Sequence, residues 1–368
     1  MPRQCGAEET TRDGVGSMRT AGWRLRLIHV SALLLSTIGL SGCGISYLWH
    51  VTVGQTALLL QRRSVEEALR DPHLTSQEQH KLHMILAVRS FAITQLGMQA
   101  SQSYTTFVQL DRPYVSYNLS AASSDAFKPY TWRFPIVGKM PYKGFFDKDY
   151  ALREQHTLDE QGYDTYLRGI RAYSTLGYFN DPILSSMLAY DDALLINTII
   201  HEMLHQTVWF KGNVSFNESL ASFVAEQGTL AYLQQQYGVD APEYQHYRAL
   251  RADALVFEEY MDALINRLDA LYHEPISRAD KLQRKAQILA EATTAYPEVF
   301  PRMQTTGYRN FFERRSLNNA VLLAFRVYNR DTTFFAQALA EQDGDLRRMI
   351  AYFKTLRADQ IPARFRTP

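Results

Sequence analysis

The stretch from Asp191 to His205 reads DDALLINTIIHEMLH, and the interpretation of the whole chain starts from it. Its aspartate pair is typical of a helix N-cap, and the apolar residues that follow contain no glycine or proline. We therefore expect one helix that continues through His201 and His205. Positions i and i+4 of a helix lie one turn apart on the same face, so both imidazoles can meet one metal ion.

Residues 201–205 form the pattern H-E-x-x-H. Glu202 lies about 100° around the helix from His201, where it can hold a water molecule beside the metal. We therefore predict a Zn²⁺ site with His201 and His205 as ligands and Glu202 as the general base. The alternative is a surface helix with two half-exposed histidines. It is less favourable because the apolar run would bury both rings without hydrogen-bond partners.

A catalytic zinc site needs a third protein ligand, and the residues after His205 supply acidic candidates. Gly212 and Asn213 indicate a turn, after which Ser215 or Asn217 could cap a second helix. Glu218 would lie in the first turn of that helix, and a hairpin of two helices would return it to the metal. Three other acids lie nearby in sequence and are less suitable, namely Asp191, Asp192 and Glu226. Glu226 lies about 12 Å along the helix from Glu218, so one ion cannot bind both.

The N-terminal segment has the pattern of an export signal. An arginine-rich flank precedes an apolar run at residues 27–40, which is too short for a membrane span. The run ends in Leu-Ser-Gly-Cys43, which resembles the bacterial lipobox. We expect residues 1–42 to be a signal peptide with its true start at Met18, and Cys43 to be acylated. Gly44 after the cysteine favours the outer membrane, by similarity to enterobacterial sorting, with the protein facing the periplasm of a bacterial cell envelope.

The rest of the chain is expected to form one unit of helix-rich α+β class, with a small sheet before the metal helix. Hydrophobic periodicity and the positions of proline and glycine divide it into four segments. Within the unit 43–368 we predict helices at 54–101, a strand-rich segment at 103–180 that includes a helix at 147–158, the zinc-binding helices at 181–236 and a helical region at 239–368.

Composition excludes several classes of protein. The net charge of +1 gives no electrostatic reason to expect nucleic-acid binding. Only two cysteines are present, Cys5 and Cys43, so neither a disulfide scaffold nor a cysteine-rich zinc site is possible.

The two motifs together resemble those of the gluzincin metallopeptidases, in which H-E-x-x-H is followed by N-E-x-x-A or N-E-x-x-S on a second helix. Further segments are similar to one family, the predicted aminopeptidases that occur as bacterial lipoproteins. The most similar are Pro-Tyr-Lys-Gly-Phe-Phe at 141–146, Ala-Tyr-Ser-Thr-Leu-Gly-Tyr-Phe at 172–179, Asp-Pro at 181–182, residues 216–221 and Leu-Asn-Asn-Ala at 317–320. The resemblance implies a zincin-like domain, zinc and peptide substrates.

Three functions remain open from the sequence. The first is a zinc aminopeptidase, the second a zinc endopeptidase that processes envelope proteins, and the third a lipoprotein that contains zinc and acts by binding. An aminopeptidase must hold the substrate ammonium with acidic groups, and Glu258, Glu259 and Asp262 are the downstream candidates.

Other residues are candidates for binding the peptide and for stabilising the transition state. An extended peptide is expected to pair with an edge strand within residues 166–179. The second donor for the transition-state oxyanion is left open among Tyr308, Arg309, Arg314 and Tyr328. Asn318 and Asn319, both in a predicted helix, indicate a polar contact with substrate or backbone.

Overall fold

The computed structural model describes residues 42–134, 138–172, 175, 180–314, 316–328 and 332–365. Its contacts divide the chain into two compact units, residues 1–53 and residues 54–368. The site described below belongs entirely to the second unit.

The described residues form eleven α-helices, and the predicted helix-rich α+β class is confirmed. Several begin at a side-chain cap: Ser64, Thr75, Asp147, Asp191, Ser277 and Asp345 each accept a hydrogen bond from a backbone N–H of the first turn. The helices are α1 (Gly42–Leu60), α2 (Val65–Leu69), α3 (Ser76–Thr94), α4 (Lys148–Glu160), α5 (Asp192–Thr207), α6 (Val214–Tyr237), α7 (Pro242–His273), α8 (Arg278–Ala295), α9 (Asn319–Tyr328), α10 (Thr333–Ala340) and α11 (Leu346–Thr355).

Eight short strands form three small sheets in this part of the chain. They are β1 (Arg63–Ser64), β2 (Thr106–Val108), β3 (Ser116–Ser123), β4 (Trp132–Phe134), β5 (Gly138–Met140), β6 (Tyr142–Phe145), β7 (Tyr163–Ile170) and β8 (Ile183–Leu184). The sheet orders are β1-β2-β8, β6-β3-β7 and β4-β5. Strands β3 and β7 pair antiparallel over their full length, from Ser116 opposite Ile170 to Ser123 opposite Tyr163. As predicted, the strands precede α5, and β7 ends at Ile170, ten residues after the end of α4.

Among the described residues, two apolar clusters form the core. The larger one joins α3, α5, α6 and the C-terminal helices, with Ile85, Ile199 and Phe216 fully buried. The smaller one lies between α7, α8 and the segment around Phe312. The helix pair α5 and α6 lies in the larger cluster, so the part of the chain with the H-E-x-x-H pattern is supported on its apolar side by close packing.

Within the described residues, no helix is both long enough and apolar enough to cross a membrane. The predicted signal peptide falls almost entirely on residues outside the described ranges, including its apolar run at 27–40. Cys43 lies in α1, and its side chain is outside what the structure describes.

Candidate metal centre

Helix α5 places both histidines. The Asp191 carboxylate accepts a hydrogen bond from the Leu194 N–H at 2.9 Å and so caps the helix as predicted. Ile196, Ile199 and Ile200 are buried on the core side of the helix. Burial of this face fixes the rotation of α5 about its axis, and with it the direction of His201 and His205.

The turn before α5 is held by a buried lysine. Lys81 of α3 is 5 % exposed, and its ammonium donates to the carbonyl of Leu188 at 2.9 Å and to the carbonyl of Tyr190. A buried ammonium is tolerated only where carbonyls or charges satisfy its donors, so this contact ties α3 to the start of the metal helix.

The loop between α5 and α6 is held by Asn217. Its side-chain oxygen accepts from the Phe210 N–H at 2.9 Å, and its amide donates to the Phe210 carbonyl at 2.9 Å. The expectation that Ser215 or Asn217 caps the second helix is wrong: α6 begins at Val214 with Asn213 in the N-cap position, and both expected residues lie inside the helix. Asn217 instead acts across the loop, and it holds the helix turn that carries Glu218.

Glu218 returns to the two histidines as expected, although it lies in the second turn of α6 rather than the first. The Nε2 atoms of His201 and His205 are 3.1 Å apart. One Glu218 oxygen lies 3.4 Å from His201 Nε2, and the other lies 3.6 Å from His205 Nε2. The three residues therefore form a cluster able to hold a metal ion.

These distances fit zinc. Ligands placed about 2.05 Å from a tetrahedral centre are about 3.3 Å from one another, close to the three separations observed. Two ring nitrogens and a carboxylate that converge in this way are able to hold a metal ion between them. Burial alone would raise the pKa of Glu218, but its contacts with His201 and His205 hold that pKa well below its ordinary value.

Glu202 lies beside this cluster and is half-buried. Burial raises the pKa of its carboxyl to about 7; His201 opposes that rise, while the charges of Glu218 and Asp181 add to it. Asp181 is itself buried and accepts hydrogen bonds from Gln206 of α5 and from the backbone and hydroxyl of Thr175. The carboxylate beside the metal ligands thus lies in a poorly hydrated region of negative charge.

The rival ligand Glu226 lies elsewhere. Its carboxylate is 2.7 Å from the Arg251 guanidinium of α7. Asp191 and Asp192 are at the start of α5, one as its N-cap and the other in its first turn. The structure brings none of these three acids into the cluster of His201, His205 and Glu218.

The described contacts of the residues proposed for the oxyanion and the ammonium do not include His201, His205 or Glu218, although Tyr308, Glu258 and Asp262 lie near one another. Tyr308 stacks on Phe257 in the smaller core cluster, and Arg309 lies over the Phe300 ring. The Tyr328 side chain is outside the described residues. Glu259 pairs with Arg302, and Glu258 lies near Arg251 and Asp262. The Arg314 backbone N–H donates a hydrogen bond to the Asn310 carbonyl. Burial raises the pKa of Asp262, and the charge of Arg326 opposes this rise.

Asn318 and Asn319 contact backbone, the second of the two possibilities left open by the sequence. Asn318 donates to the Thr165 carbonyl of β7 at 2.8 Å. Asn319 is fully buried, donates to the Ser123 carbonyl at 2.8 Å and accepts from the Tyr272 hydroxyl at 2.7 Å. Their role is to attach α9 to the β3–β7 sheet.

One group of residues beside the start of α5 is not predicted by any sequence pattern. The Arg171 guanidinium lies over the rings of Tyr114 and Tyr190, 5.3 and 5.8 Å from their centroids. Burial raises the pKa of Tyr190; Arg171 and Arg168 oppose this rise, whereas the Glu202 charge adds to it. The phenol of Tyr190 is therefore within electrostatic reach of both the two arginines and Glu202. Only tertiary contacts bring these residues together, so no local spacing could reveal them.

Comparison with known proteins assigns the chain to a family. A family model described as "Putative aminopeptidase" matches residues 46–367. No curated protein and no solved structure matches the chain. Because the match covers most of its length, the chain belongs to this aminopeptidase family. This confirms the expected resemblance to aminopeptidases.

Proposed function

We propose that this member of the aminopeptidase family is a zinc-dependent peptidase. The observation that carries the proposal is the convergence of His201, His205 and Glu218 at separations of 3.1–3.6 Å, with Glu202 beside them. Zinc bound by these ligands would supply a Lewis acid for the scissile carbonyl and acidify a water molecule. Family membership supports peptide hydrolysis as the reaction.

Glu202 is the general base in this proposal. It lies next to His201 in sequence without joining the ligand cluster, so its carboxylate is available to take a proton from the attacking water. The same group then delivers the proton to the amine that leaves. Its half-buried position limits the number of waters that compete for the carboxylate.

Strand β7 is the proposed docking edge for the peptide. It pairs with β3 on one side, and no other strand of the described chain pairs with it. The Ile170 carbonyl accepts from Val115 on the β3 side, whereas the Thr165 carbonyl faces Asn318 on the other side. Since N–H and C=O groups alternate between the two edges of a strand, Leu167 and Gly169 face outward, where an extended peptide can pair with them.

The test of the function is hydrolysis by zinc-loaded protein of two matched peptides, one with a free N-terminus and one acetylated. An aminopeptidase should cleave the free-amine peptide with a much higher kcat/KM, because it holds the ammonium by charge-assisted hydrogen bonds. Equal rates, together with internal cleavage products in mass spectra, would favour the endopeptidase instead. Zinc binding without hydrolysis of any peptide would favour the binding lipoprotein.

The role of Glu202 has its own prediction. The substitution Glu202→Gln should lower kcat by about 10²–10⁴-fold, since that is the usual contribution of a general base. Zinc content should remain near one equivalent because all three ligands are intact. Metal analysis and a rate assay check this, with Glu226→Gln as the matched control. Activity that survives in Glu202→Gln would remove Glu202 from the mechanism.

Localisation is also part of the proposal. We place the protein in the bacterial cell envelope, anchored by lipid on Cys43 and facing the periplasm, in the outer membrane. The support is the sequence pattern that ends at Cys43. Metabolic labelling with a palmitate analogue should mark the wild-type chain and leave Cys43→Ser unlabelled. Label that persists on the variant would contradict the lipid anchor.

A further inference from the structure

We propose that Arg171 binds a carboxylate of the peptide substrate, so that the preferred substrates carry a negative charge near the bond that is cleaved. The proposal rests on the peptidase function above and adds the chemical class of substrate to it. The carboxylate has two possible sources, the C-terminus of a short peptide or an acidic side chain of a longer one. Both present the same planar pair of oxygens to a guanidinium.

The first argument is the state of the Arg171 side chain. Arg171 is half-buried, yet no carboxylate within the described residues lies at salt-bridge distance from its guanidinium. Arg251, which is buried to a similar degree, has the Glu226 carboxylate at 2.7 Å. A half-buried guanidinium has lost part of its hydration, so an anion that arrives there meets a charge whose hydrogen-bond donors are not already used.

The second argument is that contacts with other residues fix the position of Arg171. The Ser186 hydroxyl donates to the Arg171 carbonyl at 2.6 Å, and Ser186 belongs to the turn that leads into α5. The guanidinium lies over Tyr114 and Tyr190. Stacking on aromatic faces holds the guanidinium plane and leaves the N–H groups at its edge available.

Gly169 makes room for this arrangement. A Cβ atom at Gly169 would lie 2.4 Å from Cγ of Tyr114, far inside van der Waals contact. Only glycine at position 169 therefore allows the Tyr114 ring to lie against β7, where it also contacts the Arg171 guanidinium. Gly169 is also one of the two residues proposed to face the peptide, so the arginine is at the end of the docking edge.

The third argument is the location of the group relative to the reaction. Arg171 directly follows β7, and its guanidinium lies over the ring of Tyr190, the residue before the N-cap Asp191 of α5. Arg171 therefore lies where the proposed docking edge ends and close to the start of the helix that carries Glu202. A guanidinium at this point attracts a substrate carboxylate and disfavours a substrate ammonium at the same place.

The experiment compares two pairs of peptides on the zinc-loaded full chain. The first pair is Ala-Ala-Ala and its C-terminal amide, and the second is Ala-Glu-Ala-amide and Ala-Gln-Ala-amide. In at least one pair the wild type should prefer the carboxylate by about 10- to 100-fold in kcat/KM, the usual range for a hydrogen bond to a charged group. The pair that responds identifies the source of the carboxylate.

The variant Arg171→Gln should remove this preference and change the rate on the neutral peptides by less than about 3-fold. Arg171→Lys keeps the charge but not the planar fork, and it should retain part of the preference. The control is Arg153→Gln, because Arg153 also lies over a tyrosine ring, that of Tyr150, but belongs to α4. An equal loss on charged and neutral peptides in Arg171→Gln would overturn the proposal.

Binding provides a readout that is independent of hydrolysis. Calorimetry of the same peptides with Glu202→Gln should show tighter binding of the carboxylate member, and Arg171→Gln in that background should abolish the difference. If no peptide is hydrolysed by the wild type but this difference is present, the peptidase proposal fails and the carboxylate site stands. If neither member of either pair binds differently, the carboxylate site is wrong. Thermal unfolding of Arg171→Gln near the wild-type temperature shows that the comparison is made on folded protein.

Discussion

Helix α6 carries two glutamates about two turns apart whose surroundings are opposite. Glu218 faces the ring nitrogens of His201 and His205, and Glu226 faces the fixed positive charge of Arg251. The first set of groups could hold a metal ion, whereas the second already contains a cation of the protein. The same residue type on one helix thus belongs to a candidate metal site at one position and to an ion pair at the other.

The largest effect expected from this comparison concerns metal affinity. Glu218→Ala should weaken zinc binding by more than the roughly 10- to 100-fold that loss of an outer-shell partner usually costs, because it removes one of three direct ligands. Glu226→Ala should change the affinity by less than about 3-fold. Competition with a chelator measures both values. The reverse order would show that the metal lies nearer Glu226 and would break the comparison.

The next effect concerns Asn217, which orients the helix turn that carries Glu218. Asn217→Ala removes both hydrogen bonds to Phe210 and leaves the Phe210 N–H without a partner, while the Phe210 carbonyl still accepts from the Asn213 N–H at 3.1 Å. Unfolding should therefore require about 1–3 kcal/mol less free energy. Zinc affinity should fall about 10- to 100-fold, as for other groups that orient ligands. Denaturant titration and chelator competition give the two values. Asn213→Ala is the control, since the Asn213 side chain makes no cap hydrogen bond; a similar loss there would assign the effect to the loop in general.

The smallest effect is the pH dependence associated with Glu226. Burial raises its pKa to about 7 from the ordinary 4.5, Arg251 opposes the rise, and Glu258 adds to it. Burial raises the pKa of Tyr247 and of Tyr308, and the Glu226 charge adds to both rises. Below about pH 4.5 the group is protonated in both the folded and the unfolded chain. Between that value and about 7 only the folded chain keeps the proton, so the contribution of Glu226 to stability falls as pH rises.

The measurement is the free energy of unfolding of metal-free protein from pH 4.5 to pH 8, for the wild type and for Glu226→Gln. The difference between the two should move by about 1–3 kcal/mol in favour of the variant as the pH rises across this range. A constant difference would mean that Arg251 keeps Glu226 ionised throughout. The two glutamates would then differ in partner only and not in protonation.

The sequence predicts the metal helix well because its signals are local. An aspartate N-cap, an uninterrupted apolar run and the i, i+4 histidines all refer to one helix, and the structure has that helix at Asp192–Thr207. Glu218 was predicted from a turn and a second periodic segment. The function of Asn217 was predicted wrongly because an asparagine near a helix start usually caps it, whereas here its partner is across the loop.

Other features could not be predicted because their partners are distant in sequence. Lys81 reaches carbonyls more than 100 residues away, and the Tyr114–Arg171–Tyr190 stack joins three separate segments. Periodicity reports which face of an element is buried, but not which polar groups meet there. The second half of α6 shows the same limit, since the pairing of Glu226 with Arg251 depends on how α7 packs.

The two hydrogen bonds between Asn217 and Phe210 have a consequence for the order of folding and metal binding. These bonds fix the loop after α5 to the start of α6 through contacts within the protein alone, so little rearrangement would be needed when an ion binds. The chain should therefore fold first and acquire its metal afterwards, and a chelator should yield a folded apoprotein that can be reloaded. Metal would then stabilise this fold by mass action, in proportion to the logarithm of its free concentration, rather than act as a requirement for folding.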